Sequence, residues 1–394
     1  MYNIDHMNTP ISVASALAYK HVAKPLLFRQ KPDSVHIRLL KTGKRVQRLK
    51  PARALIHGIW AYENEKTLGQ SLHGIRFPGP VGLSAGFDKN FELPPLLKSI
   101  GFGFMEGGSL TLHECAGNPR PWFHRLPRSK SLVVHAGLAN DGVHRIIETL
   151  QTYPAETQVN FPLNISIAKT NSPEACSDKA AVADYVGSFI ALQQADIGDM
   201  YTINISCPNT YGGEPFTTPK RLDHLLQATD ELNVTKPVFV KMPTDLPWEN
   251  FKKLLAVIDA HQIDGVTISN LVKNRDNIKL HDPLPDTIKG GLSGKPTWDV
   301  SNQLIKRTYC GYKDRFTIIG VGGIFSAEDA YQKITYGASL VELITGMIFE
   351  GPQLIGQINH DLNTLLKRDG FTNIQQAIGT QAKCPKKMLN QVSV

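Results

Sequence analysis

The sequence lacks any apolar run of the roughly 18 to 20 residues that a helix needs to cross a bilayer, and its start, Met1 to Asp5, lacks the basic and apolar regions of a secretory signal. Cysteine is scarce: five residues, widely spaced and odd in number, form no CxxC pair. Neither a disulfide framework nor a zinc site is indicated, and no metal site is predicted. A reducing compartment is therefore expected.

Acidic residues are nearly missing from one end of the chain. Residues 1–53 contain eleven Lys/Arg but only Asp5 and Asp33, a net charge of +9, so the remainder of a chain of net charge +8 carries −1. A basic patch confined to one end favours a local anionic partner, such as a lipid surface or a phosphate, over a nucleic acid. A merely solubilising basic arm is the alternative.

Residues 1–70 are predicted to form a basic helical extension. An amphipathic pattern covers residues 11–28, and a second apolar stretch, residues 52–62, follows Pro51 at a plausible first helical turn. Together they predict a helical hairpin with an apolar face beside basic residues.

Residues 71–394 show short, β-favouring apolar runs that alternate with helical patterns. The predicted strands are Val81–Gly86, Phe102–Ser109, Phe161–Ala168, Tyr201–Cys207, Val238–Met242, Gly265–Asn270, Thr317–Gly323 and Leu340–Gly346. The predicted helices include Asp178–Gln194, Lys220–Leu232, Trp248–His261, Asp299–Thr308 and Ala327–Tyr336. Such alternation is typical of a buried parallel sheet, and eight units predict a TIM (β/α)8 barrel with an N-terminal extension. An open doubly wound sheet is the alternative.

A barrel carries its chemistry at the C-terminal ends of its strands, so those ends are the candidate site. Glycine pairs at 290–291 and 322–323, with Gly346, lie at or near late strand ends, where backbone amides could bind the phosphate of a cofactor. Lys89 and Lys241 could place cations against an electron-rich ring or a carboxylate. Ordinary turn glycines and surface lysines are the alternatives.

The fourth predicted strand runs into Asn204-Ile205-Ser206-Cys207-Pro208-Asn209, which places a thiol between two amides. Proline cannot donate to a strand ladder, so the strand should end there. Cys207 is the candidate base or nucleophile, with an inert cysteine as the alternative. Asn204, Asn209 and Asn270 are predicted to hold a planar heterocycle, although single asparagines are more often turn or cap residues.

These strand ends resemble the dihydroorotate dehydrogenase family, in its quinone-dependent, membrane-associated class, over nearly the whole chain. The segments that carry the resemblance are Val81–Asn90, Gly117–Pro119 with Arg125-Leu126, Asn204–Thr210, Gly290–Gly294, Ile319–Ile324 and Phe349–Pro352.

The resemblance implies an FMN-dependent oxidation of dihydroorotate to orotate in pyrimidine (UMP) biosynthesis, with electrons passed to a membrane quinone. Cys207 would remove a proton from C5 of the substrate, while a hydride leaves C6 for the flavin. Substrate contacts are implied for Lys89, Asn204, Asn209 and Asn270. FMN contacts are implied for Ala85, Gly86, Lys89, Ser109, Ser166, Asn204, Lys241, Ser269, Gly294, Gly322, Gly323, Thr345 and Gly346. The implied location is peripheral, on the cytoplasmic side of the inner membrane.

The chain departs from the family pattern at several positions. Quinone-dependent members usually have a serine base where this chain has Cys207, and Val134 and Leu271 replace a substrate asparagine and a threonine. Ser166 replaces an asparagine that contacts FMN. In the quinone tunnel, the family's arginine is aligned with His113 and its tyrosine with Ile344. Two alternatives therefore stay open: a flavin oxidoreductase for another dihydropyrimidine or enone, and a non-catalytic flavin-binding protein.

Overall fold

The computed structural model describes residues 10–154, 160–207, 210–211, 213–276 and 278–384. Its α-helices are α1 (Pro10–Ala18), α2 (Lys24–Phe28), α3 (Pro32–Val46), α4 (Lys50–Trp60), α5 (Glu65–Leu68), α6 (Pro94–Ile100), α7 (Val143–Gln151), α8 (Asp178–Gln194), α9 (Pro219–Asp230), α10 (Trp248–Asp259), α11 (Trp298–Tyr312), α12 (Ala327–Thr335), α13 (Thr345–Glu350) and α14 (Leu354–Arg368). A π-helical segment, Tyr19–Ala23, joins α1 to α2.

The strands are β1 (Gln70–Leu72), β2 (Ile75–Phe77), β3 (Val81–Leu83), β4 (Phe104–Leu110), β5 (Phe123–Leu126), β6 (Ser131–Val134), β7 (Leu163–Ile167), β8 (Met200–Asn204), β9 (Val238–Lys241), β10 (Gly265–Ile268), β11 (Gly291–Leu292), β12 (Thr317–Val321) and β13 (Leu340–Leu343).

Eight parallel strands close into a barrel in the order β10-β12-β13-β3-β4-β7-β8-β9. The predicted TIM barrel is confirmed, and the open sheet is wrong because β13 pairs with β3, with Val341 opposite Val81. All eight predicted strands are present, and all but β4 end one to three residues earlier than predicted. The polar residues that follow the last ladder pairs belong to loops, which releases their side chains to form a site at the mouth.

The other end of the barrel is closed by apolar side chains. Phe77, from the β1–β2 hairpin, packs against Phe104 with ring centroids 5.5 Å apart, and both are buried. Met200 and Phe239, near the starts of their strands, belong to the same cluster. Because these side chains fill the N-terminal end, a ligand has access only from the C-terminal mouth.

The helices α1–α4, named here the N-terminal cover (residues 10–60), lie against that mouth. The Tyr19 hydroxyl donates to the carbonyl of Ile348 in α13 (2.7 Å), and the Phe28 ring meets Phe349 edge to face (5.2 Å). The predicted hairpin is incomplete, because α3 lies between its two helices. Pro32 at the first turn of α3 is a helix-start signal that the sequence analysis missed.

A disulfide joins Cys310 in α11 to Cys384 near the C-terminus. Cysteine spacing showed no sign of this bond, because residues 74 positions apart meet only through the fold. The expectation of a protein without structural disulfides is wrong for this pair.

Candidate active site

A cavity of about 240 Å³ lies at the C-terminal mouth, between the strand ends and α3. The predicted site residues that line it are Ala85, Gly86, Lys89, Ser109, Asn204, Cys207, Lys241, Ser269, Asn270, Gly294, Gly322, Gly323, Thr345 and Gly346. Ser166 does not line it and lies behind Ser109, with the two hydroxyl oxygens 2.8 Å apart. Asn209 lies outside the described residues.

The floor of this cavity is a buried charged group, defined here as Ser84, Glu106, Lys241 and Glu342. The Lys241 ammonium donates to both carboxylate oxygens of Glu106 (3.3 and 3.2 Å) and to the Ser84 hydroxyl (3.4 Å). The two charged side chains are 4% and 0% exposed, so the pair is stabilised by their contact rather than by water. Lys241 is thus an inward lysine at a strand end, as the apolar flanks predicted.

Glu342 adds a second carboxyl group beside this pair. It is fully buried and lines the cavity beside Glu106 and Ser84. Burial, followed by the nearby Glu106 charge, holds the pKa of Glu342 well above its ordinary value. The floor therefore holds one cation and two carboxyl groups, and ionisation of Glu342 is disfavoured there.

The predicted amides form one hydrogen-bonded cluster. Asn204 donates to the Ser109 hydroxyl (2.8 Å), and its carbonyl oxygen accepts from the backbone and hydroxyl of Ser206 (3.2 Å each). The Asn270 amide donates to the backbone carbonyl and hydroxyl of Ser206 (2.8 and 2.9 Å). These bonds hold the two amides together at the ends of β8 and β10, on either side of β9, where they can orient a flat polar ring.

The residues present fit a flavin nucleotide. Gly86 has a φ of +110°, and a Cβ there would meet no atom within 4 Å, so its backbone faces open space. A Cβ at Gly294 or Gly346 would instead collide with a carbonyl oxygen, which shows that close backbone packing forms this side of the cavity. The buried Ser269 hydroxyl also lacks a partner among the described residues and faces the same space.

Lys89 lies at the rim between the barrel and the N-terminal cover. Its ammonium donates to the Gly86 carbonyl (2.7 Å) and lies 5.5 Å from the ring centroid of Phe123. Desolvation lowers the pKa of Lys89 to about 8, although the adjacent Asp88 opposes the shift. A cation held by a carbonyl and an aromatic ring can readily serve an anionic ligand.

Cys207 is half-buried and lines the cavity, three residues beyond the end of β8. The Thr210 hydroxyl donates to the Cys207 carbonyl (3.4 Å) and to the Gly213 carbonyl (2.7 Å). Cys207 borders the same cavity as Asn204 and Asn270, and a proton-transfer role requires such proximity.

Besides Glu342, the lining residues that the sequence analysis did not predict include Arg125 and His36. Arg125, in β5, donates to the Gln30 carbonyl (2.7 Å) and lies over the Phe28 ring (4.6 Å). His36, in α3, packs between Phe87 and Phe123. Burial, helped by the Lys89 charge, lowers the pKa of His36 to about 3, so its ring is neutral at physiological pH.

The alignment of the tunnel arginine with His113 is wrong. His113 is exposed and is not among the residues that line the cavity, whereas Arg125 is. The signal was in the sequence, because Arg125 belongs to a segment that carried the resemblance. Val134, Leu271 and Ile344 do line the cavity, so the apolar replacements at those positions face its interior.

Across the described ranges, none of the helices is long and apolar enough to cross a membrane. In the same part of the chain, His, Cys, Asp and Glu side chains form no group of three or more that could hold a metal ion.

Comparison with known proteins gives a consistent picture. The family model for dihydroorotate dehydrogenase matches residues 67–366. A dihydroorotate dehydrogenase (quinone) of Crocosphaera subtropica is 35% identical over 365 residues, which cover 89% of this chain and 94% of that protein. One from Natronomonas pharaonis is 38% identical over 306 residues, covering 78% and 83%. The solved ligand-free dihydroorotate dehydrogenase of Eimeria tenella, 26% identical, covers 89% of this chain and 99% of its own with a TM-score of 0.77.

Proposed function

This chain belongs to the dihydroorotate dehydrogenase family, and we propose that its barrel mouth binds FMN. The protein is an oxidoreductase of the quinone class that oxidises dihydroorotate to orotate in pyrimidine biosynthesis. The observation that supports the FMN site most strongly is that one cavity unites the glycine-rich strand ends, the amide cluster and the Cys207 thiol.

In this proposal, backbone at Gly294, Gly323 and Gly346 would hold the phosphate end of FMN, and Lys241 and Ser269 would contact its ring. When bound, FMN supplies an acceptor for the hydride that leaves the substrate. Because the floor is buried and its Lys241 and Glu106 charges are paired, it would hold that ring with little reorganisation.

The substrate then lies between the ring and Cys207. Asn204 and Asn270, joined in the sequence-based proposal by Asn209, orient the planar carbonyl groups of the substrate, and Lys89 pairs with its carboxylate. Cys207 receives the proton from C5 as the C5–C6 double bond forms. A positioned base of this kind typically contributes about 10²–10⁴-fold to the rate.

We further propose that the quinone enters between the N-terminal cover and the barrel. Here the cavity is lined by apolar side chains of α3, with His36 and Arg125 as the polar groups. A neutral imidazole and a guanidinium can both donate to a quinone carbonyl. In this proposal, His36 and Arg125 provide the hydrogen-bond donors for the quinone carbonyl that the sequence analysis did not find at His113 and Ile344.

Contact with the cytoplasmic face of the inner membrane is part of the same proposal. The cover exposes large apolar side chains, and Leu17, Val22, Leu26, Leu49 and Leu55 are all more than half exposed. Residues 1–53 also carry the net charge of +9. Exposed apolar groups beside basic ones suit a peripheral contact with anionic lipid.

The decisive test is anaerobic titration of the as-purified protein with dihydroorotate. The proposal predicts a bound flavin that bleaches on addition of substrate and recovers its absorbance faster with a quinone than with fumarate or NAD. A preparation that lacks flavin, or a flavin that dihydroorotate does not reduce, would refute it.

A second candidate substrate is another dihydropyrimidine. The apolar side chains of Val134 and Leu271 line the cavity at positions where polar contacts are expected. Leaving a substrate polar group unpaired costs about 1–3 kcal/mol. Reduction of the flavin by a less polar dihydropyrimidine at a higher kcat/KM than by dihydroorotate would favour this alternative.

A further inference from the structure

A buried lysine lies beside Cys207 on the side away from the main cavity. Lys169 follows β7 and is 4% exposed. It shares a small cavity with Cys207, Tyr185 and Thr210, and of the described residues that line this cavity, Lys169 is the cationic one. The family resemblance assigned it no role. A buried ammonium next to a thiol needs a physical explanation, because burial of a charge is costly.

Lys169 is part of a link between two strand-end loops. Its ammonium donates to the Tyr211 carbonyl (2.8 Å), while the Asn171 side-chain oxygen accepts from the Tyr211 backbone N–H (2.6 Å). The loop after β7 thus binds both backbone polar groups of one residue, Tyr211, in the loop after β8. Since Thr210 also bonds to the Cys207 carbonyl, this link fixes the segment that carries the thiol.

Burial lowers the pKa of Lys169, and neighbouring groups from several elements partly oppose that shift. These groups are Cys176, Asp184, Cys207 and Cys115. Asp184, from α8, also accepts from the backbone N–H of Thr170 (2.9 Å).

Tyr185, the other titratable group that faces this small cavity, stays neutral. Its hydroxyl donates to the Asn204 carbonyl (2.8 Å), and burial raises its pKa far above the physiological range. Tyr185 therefore adds no charge that would compete with the Cys207 thiolate for the lysine.

We propose that Lys169 is a positioning residue for the reaction: it fixes the Cys207 segment through Tyr211 and places a positive charge beside the thiol, so that Cys207 is a thiolate near neutral pH. This inference rests on the proposed role of Cys207 as the base. An ordinary cysteine, with a pKa of about 8.5, is only a few per cent thiolate at pH 7. An adjacent cation raises that fraction about tenfold for each unit by which it lowers the thiol pKa.

The test is the pH dependence of Cys207 alkylation by iodoacetamide in the as-purified protein, followed by peptide mass spectrometry. Lys169→Met should raise the pH midpoint of Cys207 alkylation by about one unit or more. The acid limb of the kcat–pH profile should shift upward by the same amount. Lys169→Arg keeps the charge and should restore most of both. Lys236→Met, which removes a lysine paired with Asp196 just before β9, is the matched control and should change neither.

Asn171→Ala separates the effect of the Lys169 charge from the effect of fixing the Cys207 segment through Tyr211. It removes the bond to the Tyr211 N–H but keeps the cation, so the alkylation midpoint should stay near the wild-type value while kcat falls. An unchanged Cys207 midpoint in Lys169→Met, with flavin content and melting temperature preserved, would overturn the proposal. If Lys169→Met does not fold, Lys169→Gln provides the uncharged variant, with the same expected and contradicting results.

Failure of the proposed function is a distinct outcome. Full dihydroorotate oxidation by Cys207→Ala would remove the catalytic role of the thiol, whatever the alkylation midpoint shows. A shifted midpoint with no dihydroorotate turnover in the wild type would keep the Lys169 inference and reject the substrate.

Discussion

At the barrel mouth, the polar side chains of the floor are buried and mostly bonded to one another, whereas the N-terminal cover above them exposes apolar side chains to solvent. Lys241 is 3% exposed and ion-paired, while Leu55 in α4 is 64% exposed. The floor and α3 of the cover bound the same cavity, whereas Leu55 is not among the residues that line it. The floor is suited to bind a polar ligand, and the exposed side chains of the cover are suited to contact a lipid surface.

The two regions are also held in different ways. The barrel is closed by continuous strand pairing and a large apolar core. The cover is attached through its side chains: Phe28, Ile56 and Trp60 pack against apolar clusters of the barrel. Asp33 also accepts three hydrogen bonds, from the Arg120 guanidinium (3.1 Å), the Trp122 N–H (3.0 Å) and the Phe123 N–H (3.4 Å). Substitutions in the cover can therefore test acceptor access separately from the chemistry at the floor.

The largest expected effect is at the mouth. Cys207→Ala should lower kcat for dihydroorotate oxidation by about 10²–10⁴-fold, because the base is lost, while flavin content stays the same. Single-turnover bleaching of the flavin measures this directly. Cys176→Ala, at an exposed cysteine, should have near wild-type rates. A Cys207→Ala protein with more than half of the wild-type rate would contradict the assignment.

The next effect concerns the cover alone. Val22→Glu with Leu26→Glu should weaken binding to anionic vesicles at least tenfold, because burial of each apolar side chain contributes about 1.5–3 kcal/mol. Sedimentation with vesicles at constant salt measures the change. Flavin reduction by dihydroorotate should be unaffected. Ile190→Glu, at an exposed apolar residue of barrel helix α8, is the control, and an equal loss there would show that the cover has no special role.

A smaller effect should follow from loosening the cover. Asp33→Ala leaves two backbone N–H groups and a guanidinium without their acceptor, at a cost of about 1–3 kcal/mol. Hydrogen exchange in residues 32–46 should speed up while exchange in the barrel strands stays constant. Glu65→Ala breaks a half-exposed ion pair to Arg76 (2.7 Å) and should change exchange little. Uniform acceleration over the barrel would mean that cover and barrel unfold as one unit.

The smallest effect is in the floor and depends on pH. The pKa of Glu342 is higher in the folded than in the unfolded protein, so its ionisation costs stability as pH rises above the unfolded value of 4.5. Glu342→Gln removes that cost, and its melting temperature relative to wild type should rise between pH 5 and pH 8. Exposed Glu231→Gln should show no such trend. A falling difference would show that the Glu342 charge is needed.

Much of the barrel was predictable because its strands are buried on both faces. Runs such as Val238–Val240 are continuously apolar, and such runs cannot be placed on a half-exposed sheet. Cys207, Asn204 and Asn270 were found because polar residues follow those runs at the end where barrels carry their sites. The resemblance then supplied the family and the activity, which the comparisons confirm.

The structural features that the sequence analysis did not predict share one physical cause. The cavity is also lined by three residues from unrelated elements: Arg125 from the β5–β6 hairpin, His36 from α3 and Glu342 from β13. No local sequence pattern links these elements. The Cys310–Cys384 bond and the position of Ser166 behind Ser109 likewise depend on contacts between residues distant in the chain. Local periodicity reports which face of an element is buried, but not which elements meet.

The sequence by itself therefore determined the eight-stranded barrel and the end of it that carries the candidate site, since both depend on local hydrophobic patterning. Only the tertiary structure decided how α3 covers the mouth, that the pKa of Glu342 is raised in the floor and that a buried lysine lies beside Cys207. These properties arise from burial and from charges brought together across the fold, and neither exists before the chain is folded.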